Sequence, residues 1–230
     1  MRFEVKTGEG EPPEGTVNRR GATCIVCDTS VPFDYVRAEG KAGRMEAQLM
    51  AIVAEGTKGR VYLAPSTEQE MTAAQAEPKN VPETNLPEQA LGFRVQLYGM
   101  KKHRDLFTPR QLVALTTFSD LVSEAREHVR RDAVAAGLAN DSVLLNDDGT
   151  GAQAYTDAVA TYLAMGVSRL SDICNALCRW ESSKTQVRNL FARQAIPMVW
   201  DFAEPNVFAK AAGDFGVSLG NLTKVVAVTY

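Results

Sequence analysis

One stretch decides the fold of this chain, and it reads Leu97-Tyr-Gly-Met-Lys-Lys-His-Arg-Asp-Leu-Phe-Thr-Pro-Arg-Gln-Leu-Val-Ala-Leu-Thr-Thr-Phe-Ser-Asp-Leu-Val122. The Thr108 hydroxyl can accept hydrogen bonds from the unpaired backbone N–H groups of a first helical turn. Pro109 suits the first helical position, where its missing N–H costs nothing. Gln111 completes a Thr-x-x-Gln capping box. The stretch therefore predicts a helix that begins at Pro109, after a strand and a basic loop.

The basic loop before this helix is one of three groups of basic residues. Such groups neutralise phosphates without reading the base sequence. Lys184 and Arg188 are four residues apart, which would place them on one face of a predicted helix. The alternative is a solvated surface that acidic neighbours such as Glu181 balance. The candidate DNA contacts are Arg19, Arg20, Lys101, Lys102, His103, Arg104, Arg110, Lys184 and Arg188, with Arg179 and Arg193 flanking the last pair.

Composition limits the classes of protein that fit the chain. At 230 residues it can bury a substantial core. The net charge is −3, so any DNA contact must come from a local basic patch. No apolar run approaches the roughly 20 residues of a membrane span, and the first residues lack the apolar core of a signal peptide. Four cysteines, two of them in a Cys-x-x-Cys pattern, indicate a reducing cytoplasm rather than a disulfide scaffold.

The pattern along the chain predicts an α+β fold in three parts. Residues 1–65 are predicted to be β-rich, with a strand over 48–54 and a hairpin turn at Thr57-Lys58-Gly59. Residues 66–92 are predicted to form a short helix capped by Ser66 and then a Pro-rich surface connection. Residues 93–230 are predicted to be mainly helical. The elements expected in this last part are a strand over 93–98, helices over 109–136, 153–179 and 184–194, and an apolar strand within 217–230.

The four thiols raise the question of a metal site. Cys24 and Cys27 have the spacing of half a zinc knuckle, and tetrahedral zinc needs two further ligands. They are either two inert thiols or ligands of a zinc ion that is completed from elsewhere. Cys174 and Cys178 have helical spacing and could supply that second pair, although small buried residues of a helix are the alternative interpretation. The only histidines, His103 and His128, stand in charged surroundings and lack a catalytic pattern.

Four segments together resemble a known family. They are the opening stretch, residues 15–27 with the Cys-x-x-Cys, residues 59–65 (Gly-Arg-Val-Tyr-Leu-Ala-Pro) and residues 193–204 (Arg-Gln-Ala-Ile-Pro-Met-Val-Trp-Asp-Phe-Ala-Glu). Across residues 8–208, the chain resembles the central region of the bacterial adenine-specific DNA methylases that contain a zinc ribbon. These are the enzymes of restriction-modification systems.

The resemblance implies a specific place within such an enzyme. Members of the family bind S-adenosylmethionine through a Gly-rich motif and hold the target amino group with an Asp-Pro-Pro-Tyr motif, and this chain contains neither. It would correspond to the segment between the two catalytic halves, where similar enzymes can recognise their target. The family's second Cys-x-x-Cys lies upstream of the position that matches Met1. The resemblance therefore implies a DNA-contacting segment that carries no catalytic residue, binds no cofactor by itself and needs the missing methylase halves or a complementary chain. A structural scaffold between those halves is the alternative.

Overall fold

The computed structural model describes residues 3–11, 14–192 and 194–229. The fold is α+β: short antiparallel strands dominate the N-terminal part, and helices dominate the remainder. The chain divides into two compact units. The first unit comprises residues 1–77, 82–106 and 193–200, and the second comprises 78–81, 107–192 and 201–230. None of the helices within the described ranges is both long and apolar enough to cross a membrane.

The first unit contains two small antiparallel sheets. Its strands are β1 (Val17–Asn18), β2 (Gly21–Thr23), β3 (Ser30–Pro32), β4 (Ile52–Gly56) and β5 (Gly59–Leu63). Strands β1, β2 and β3 form one sheet in that order, and β4 pairs with β5. The predicted hairpin is confirmed, because Gly56 pairs with Gly59 across the turn. Its first strand begins at Ile52, four residues later than predicted.

The helices of the first unit include one pair that packs closely at Gly40. These helices are α1 (Phe33–Lys41), α2 (Thr67–Ala74) and two 3-10 helices (Val95–Tyr98 and His103–Leu106). A Cβ atom on Gly40 of α1 would lie 2.5 Å from the Tyr98 carbonyl oxygen, so this approach requires glycine. The prediction of a strand over residues 93–98 is wrong. Val95 and Tyr98 are the buried residues, and their separation of three matches one 3-10 turn.

The second unit is built on three helices. These are α3 (Pro109–Ala135), α4 (Ala152–Ser171) and α5 (Phe215–Thr229), with a 3-10 helix at Leu145–Asp147. Leu115 and Leu170 meet in the core beside Cys174 and Val207. Gly166 lets α5 approach α4, because a Cβ atom there would lie 2.7 Å from the Leu219 Cδ2.

The capping signals are confirmed at both predicted helix starts. The backbone N–H of Gln111 donates to the Thr108 hydroxyl over 3.2 Å, and the Gln111 side chain accepts from the Thr108 N–H. Ser66 and Gln69 make the same reciprocal pair at the start of α2. A capping box satisfies otherwise unpaired N–H groups locally, which explains why sequence predicts it well.

Two helix predictions in the second unit need correction. The second predicted helix ends at Ser171 rather than at residue 179. Asn175 competes with the helix, because its side-chain amide donates to the Ser171 and Asp172 carbonyls and its oxygen accepts from the Leu177 N–H. The predicted helix over 184–194 is instead the hairpin of β6 (Arg179–Glu181) and β7 (Gln186–Arg188), followed by a 3-10 helix (Leu190–Ala192).

The final element is a helix, so the prediction of an apolar C-terminal strand is wrong. The run of valines suggested a strand, but the more deeply buried residues recur every three or four positions, as in a helix. Asp214 begins this helix, since its Oδ1 accepts the Val217 N–H over 3.0 Å. Tertiary packing against α4 and this cap override the β propensity of valine.

Candidate nucleic-acid interface and thiol pair

The basic loop of the first unit is held in a defined conformation. The Asp105 carboxylate accepts the backbone N–H groups of Lys101 and Lys102 over 2.8 Å each. The Leu86 N–H donates to the Lys101 carbonyl, and the His103 N–H donates to the Thr84 carbonyl. The loop is therefore fixed against residues 84–86, which lie in the Pro-rich segment.

Two cations of this loop are already paired with an acidic side chain. Glu83 lies 2.5 Å from the Lys102 Nζ and also pairs with the Arg104 guanidinium. The hydrogen bond from Lys102, together with the charge of Arg104, lowers the pKa of Glu83 below its usual range. The His103 ring lies 3.0 Å from the Thr84 carbonyl oxygen and hydroxyl. Lys101 is exposed and has no ion pair within the described residues.

In the second unit, Arg110 is bound to Glu204. Two nitrogens of its guanidinium donate to the two carboxylate oxygens over 2.8 and 2.9 Å. The Thr108 hydroxyl also lies within 3.2 Å of that carboxylate. The hydrogen bonds that Arg110 donates to Glu204 raise the pKa of Arg110, so this residue acts first as a structural link between the start of α3 and residue 204.

The third basic group surrounds Glu181 on the β6–β7 hairpin. The Glu181 carboxylate lies 3.6 Å from the Arg188 Nε and 4.0 Å from an Arg179 nitrogen. The hydrogen bond from Gln186 contributes most to the lowered pKa of Glu181, and the three basic neighbours add to it. Lys184 lies in the hairpin turn, so it does not share a helix face with Arg188 as predicted. Arg193 is outside the described residues.

Arg19 and Arg20 occupy the turn between β1 and β2. Both are exposed, and neither forms an ion pair with any of the residues that the structure describes. The Arg20 N–H donates to the Asn18 side chain over 2.8 Å, which holds the turn. Gly21 has a φ of +155°, and a Cβ atom there would lie 2.4 Å from the Val31 carbonyl oxygen, so only glycine fits. The sheet therefore presents two adjacent cations that have no acidic partner among the described residues.

Cys24 and Cys27 are brought together at the tip of the β2–β3 hairpin. The Cys24 N–H donates to the Thr29 carbonyl, and the Asp28 N–H donates to the Cys24 carbonyl. The Thr29 hydroxyl lies 3.2 Å from the Cys27 sulfur, and this contact contributes most to the lowered pKa of the Cys27 thiol. Two neighbouring thiols fit half of a tetrahedral zinc site, but not a complete site.

Cys174 and Cys178 have the opposite character. Both are buried, and they lie after the end of α4, so the predicted shared helix face is wrong. Burial raises the pKa of Cys174 to about 12 and that of Cys178 to about 11, which opposes thiolate formation. Among residues 3–11, 14–192 and 194–229, no group of three or more His, Cys, Asp or Glu side chains is placed to hold a metal ion.

His128 lies beside charged neighbours on α3. Its ring nitrogens lie 2.6 Å from an Arg131 nitrogen and 4.0 Å from the Glu124 carboxylate. Neither contact forms part of a nucleophile–base arrangement. The three acidic residues that compensate the basic groups, Glu83, Glu181 and Glu204, were not identified from sequence as site residues, although Glu181 was named as a balancing charge.

Comparison with known proteins adds no relative. No protein-family model, curated protein or solved structure matches the chain.

Proposed function

We propose that this chain is the central, DNA-contacting segment of an adenine-specific DNA methyltransferase and is inactive by itself. Catalysis would require partners that supply the S-adenosylmethionine site and the Asp-Pro-Pro-Tyr motif, either as the missing methylase halves or as a complementary chain. The four resembling segments support the family. The observation that most supports DNA contact is the exposed Arg19–Arg20 turn, whose cations have no acidic partner among the described residues.

Among the first unit's candidate contacts, Arg19, Arg20 and Lys101 are the best suited to phosphates, because none of them has an ion pair within the described residues. With a net charge of −3, the whole chain does not attract DNA. Arg19, Arg20 and Lys101 can each neutralise a phosphate without first breaking an ion pair, whereas Lys102 and Arg104 must leave Glu83. DNA binding by this surface is expected to be weak, salt-sensitive and independent of base sequence.

The test is fluorescence anisotropy on two unrelated duplexes at several salt concentrations. Replacing Arg19 and Arg20 by Glu is expected to weaken binding to both duplexes equally and to flatten the log–log salt slope by about 1.8, since each phosphate contact contributes about 0.9. The matched control replaces Arg130 and Arg131 of α3 by Glu, which changes the net charge equally. An equal loss in both variants would contradict a local site at the β1–β2 turn.

A scaffold function is the second candidate, and the ion pairs of the second unit favour it. Glu204 joins Arg110 to a segment 94 residues later, and Glu181 holds two arginines of a hairpin. Absence of duplex binding by the unmodified chain at low salt would make this the better function. Incorporation of labelled methyl groups into DNA, together with calorimetric binding of S-adenosylmethionine, would contradict the inactive-segment proposal.

Two further properties belong to the same proposal. Cys24 and Cys27 would supply two of the four ligands of a structural zinc ion, and the other two would come from the rest of the enzyme. The four thiols, all of them free, are compatible with a cytoplasmic location.

A further inference from the structure

The second unit also contains an open apolar groove, which is not part of the three basic groups. It has a volume of about 480 Å³, within the roughly 300–1,000 Å³ of small-ligand sites. Helices α3 and α5 and the loop between residues 207 and 214 form it. Its lining includes Phe118, Val207, Phe208, Lys210, Asp214 and Phe215.

Three phenylalanine rings lie side by side along this groove. Phe118 and Phe215 stack with ring centres 4.2 Å apart, and Phe118 lies 5.9 Å from the Phe208 ring at a tilt of 48°. The first two belong to or border the core, but Phe208 is 74% exposed. The outermost ring therefore has open surface on which another flat ring can stack.

The groove carries one basic residue, Lys210, and one acidic residue, Asp214. The Asp214 carboxylate accepts the N–H groups of Lys210 and Val217 over 2.8 and 3.0 Å. Its negative charge thus faces the N-terminal turn of α5, where backbone dipoles compensate it. The Lys210 ammonium is exposed and forms no ion pair within the described part of the chain. An anion beside the aromatic rings would be attracted to it.

We propose that this groove binds an unpaired nucleotide of single-stranded DNA, with the base on Phe208 and a phosphate at Lys210. The inference rests on the proposed function, DNA contact, and specifies that the groove binds single-stranded DNA. An exposed ring beside an exposed ammonium that forms no ion pair among the described residues matches a nucleotide, which joins a flat apolar base to a phosphate. Stacking on aromatic side chains and backbone neutralisation are the two contributions that bind single strands independently of sequence. A purely apolar peptide would leave Lys210 without a partner.

The test compares a labelled strand of about 12 nucleotides with an abasic strand of equal length, within the site sizes of single-strand binders. The unmodified chain is expected to bind the strand with bases about 5- to 160-fold more tightly, the factor that stacking of one base provides. Phe208→Ala should abolish this preference, and Phe208→Trp should retain it. Tyr155→Ala removes an aromatic side chain of α4 that is 52% exposed and should change nothing.

The second variant addresses the phosphate. Lys210→Gln should weaken binding to both strands and flatten the salt slope by about 0.7, the value for one contact on a single strand. Thermal unfolding checks that each variant is folded. Should Phe208→Ala be unstable, Phe208→Leu retains an apolar side chain without the ring and should also lose the preference for bases.

The outcomes separate this inference from the proposed function. Duplex binding without any preference for bases over the abasic strand would overturn the groove proposal alone. A preference for bases that Phe208→Ala leaves intact would also overturn it. A preference for bases without any duplex binding would support the groove proposal. It would contradict the proposal that the Arg19–Arg20 turn contacts phosphates of duplex DNA. Binding to neither form of DNA would overturn both.

Discussion

Replacing Glu83 by Gln is expected to strengthen DNA binding. In the present structure this carboxylate pairs with both Lys102 and Arg104, so the substitution releases two cations at the basic loop. If both then contact phosphates, the log–log salt slope steepens by about 1.8. Between about 200 and about 50 mM salt, the affinity ratio of variant to unmodified chain should therefore rise about 12-fold. Fluorescence anisotropy on a duplex at these two salt concentrations measures the affinity ratio.

The matched control for Glu83→Gln is Glu55→Gln. Glu55 lies on β4, pairs with Arg60 and is also in the first unit, so the change in net charge is the same. It lies outside the basic loop, and its loss should leave the salt slope nearly unchanged. Equal steepening in both variants would show that net charge, rather than local release of Lys102 and Arg104, controls binding. No steepening in either would refute the reasoning that these cations are held back by Glu83.

Other expected outcomes concern stability and metal content. Thr108→Ala should lower the free energy of unfolding by about 1–2 kcal/mol, because the hydroxyl both caps α3 and contacts Glu204, and Thr108→Ser should retain most of this stability in chemical denaturation. Leu115→Ala should cost more, roughly 2–5 kcal/mol, because the side chain is 9% exposed and belongs to the core. Metal analysis of the purified chain should give well under one zinc per chain, and replacing Cys174 and Cys178 by Ala should not change that content. A tightly bound zinc that is lost in that variant would show that these buried thiols are ligands.

Local signals of the sequence predicted helix starts well. The capping boxes at Ser66 and Thr108 depend on residues three positions apart, and both exist as expected. The α+β class followed from the same local patterns. Such predictions succeed because the interactions that they describe close within one helical turn.

The errors arise where a local pattern fits two structures. Three apolar residues, Val187, Leu190 and Phe191, fit a short helix, but the polar turn around Lys184 forms a hairpin instead. The C-terminal valines fit a strand until packing against α4 is considered. Burial of Val95 and Tyr98 distinguishes a 3-10 turn from a strand, and burial is not visible in a window of six residues.

Sequence predicts the candidate site less completely than the helix starts. Basic residues are visible in a short window of sequence, but the acidic residues that pair with them lie far away along the chain. Sequence identified every basic residue of the three groups. Lys102 meets Glu83 across 19 residues, and Arg110 meets Glu204 across 94. Without these pairs, all the basic residues look equally available, whereas the structure distinguishes Arg19, Arg20 and Lys101 from the rest.

The difference between weakly and firmly paired cations bears on both candidate functions, DNA contact and scaffold. An ion pair between exposed side chains stabilises little and is screened by salt, so replacing Glu83 releases Lys102 and Arg104 at little cost to the fold. Arg110 differs, since its carboxylate partner is only 25% exposed and also contacts the Thr108 hydroxyl. Displacing that carboxylate would disturb the start of α3. Under the proposed function, the loop cations could therefore be made available to DNA without disturbing the fold, whereas Arg110 has a structural role at the start of α3.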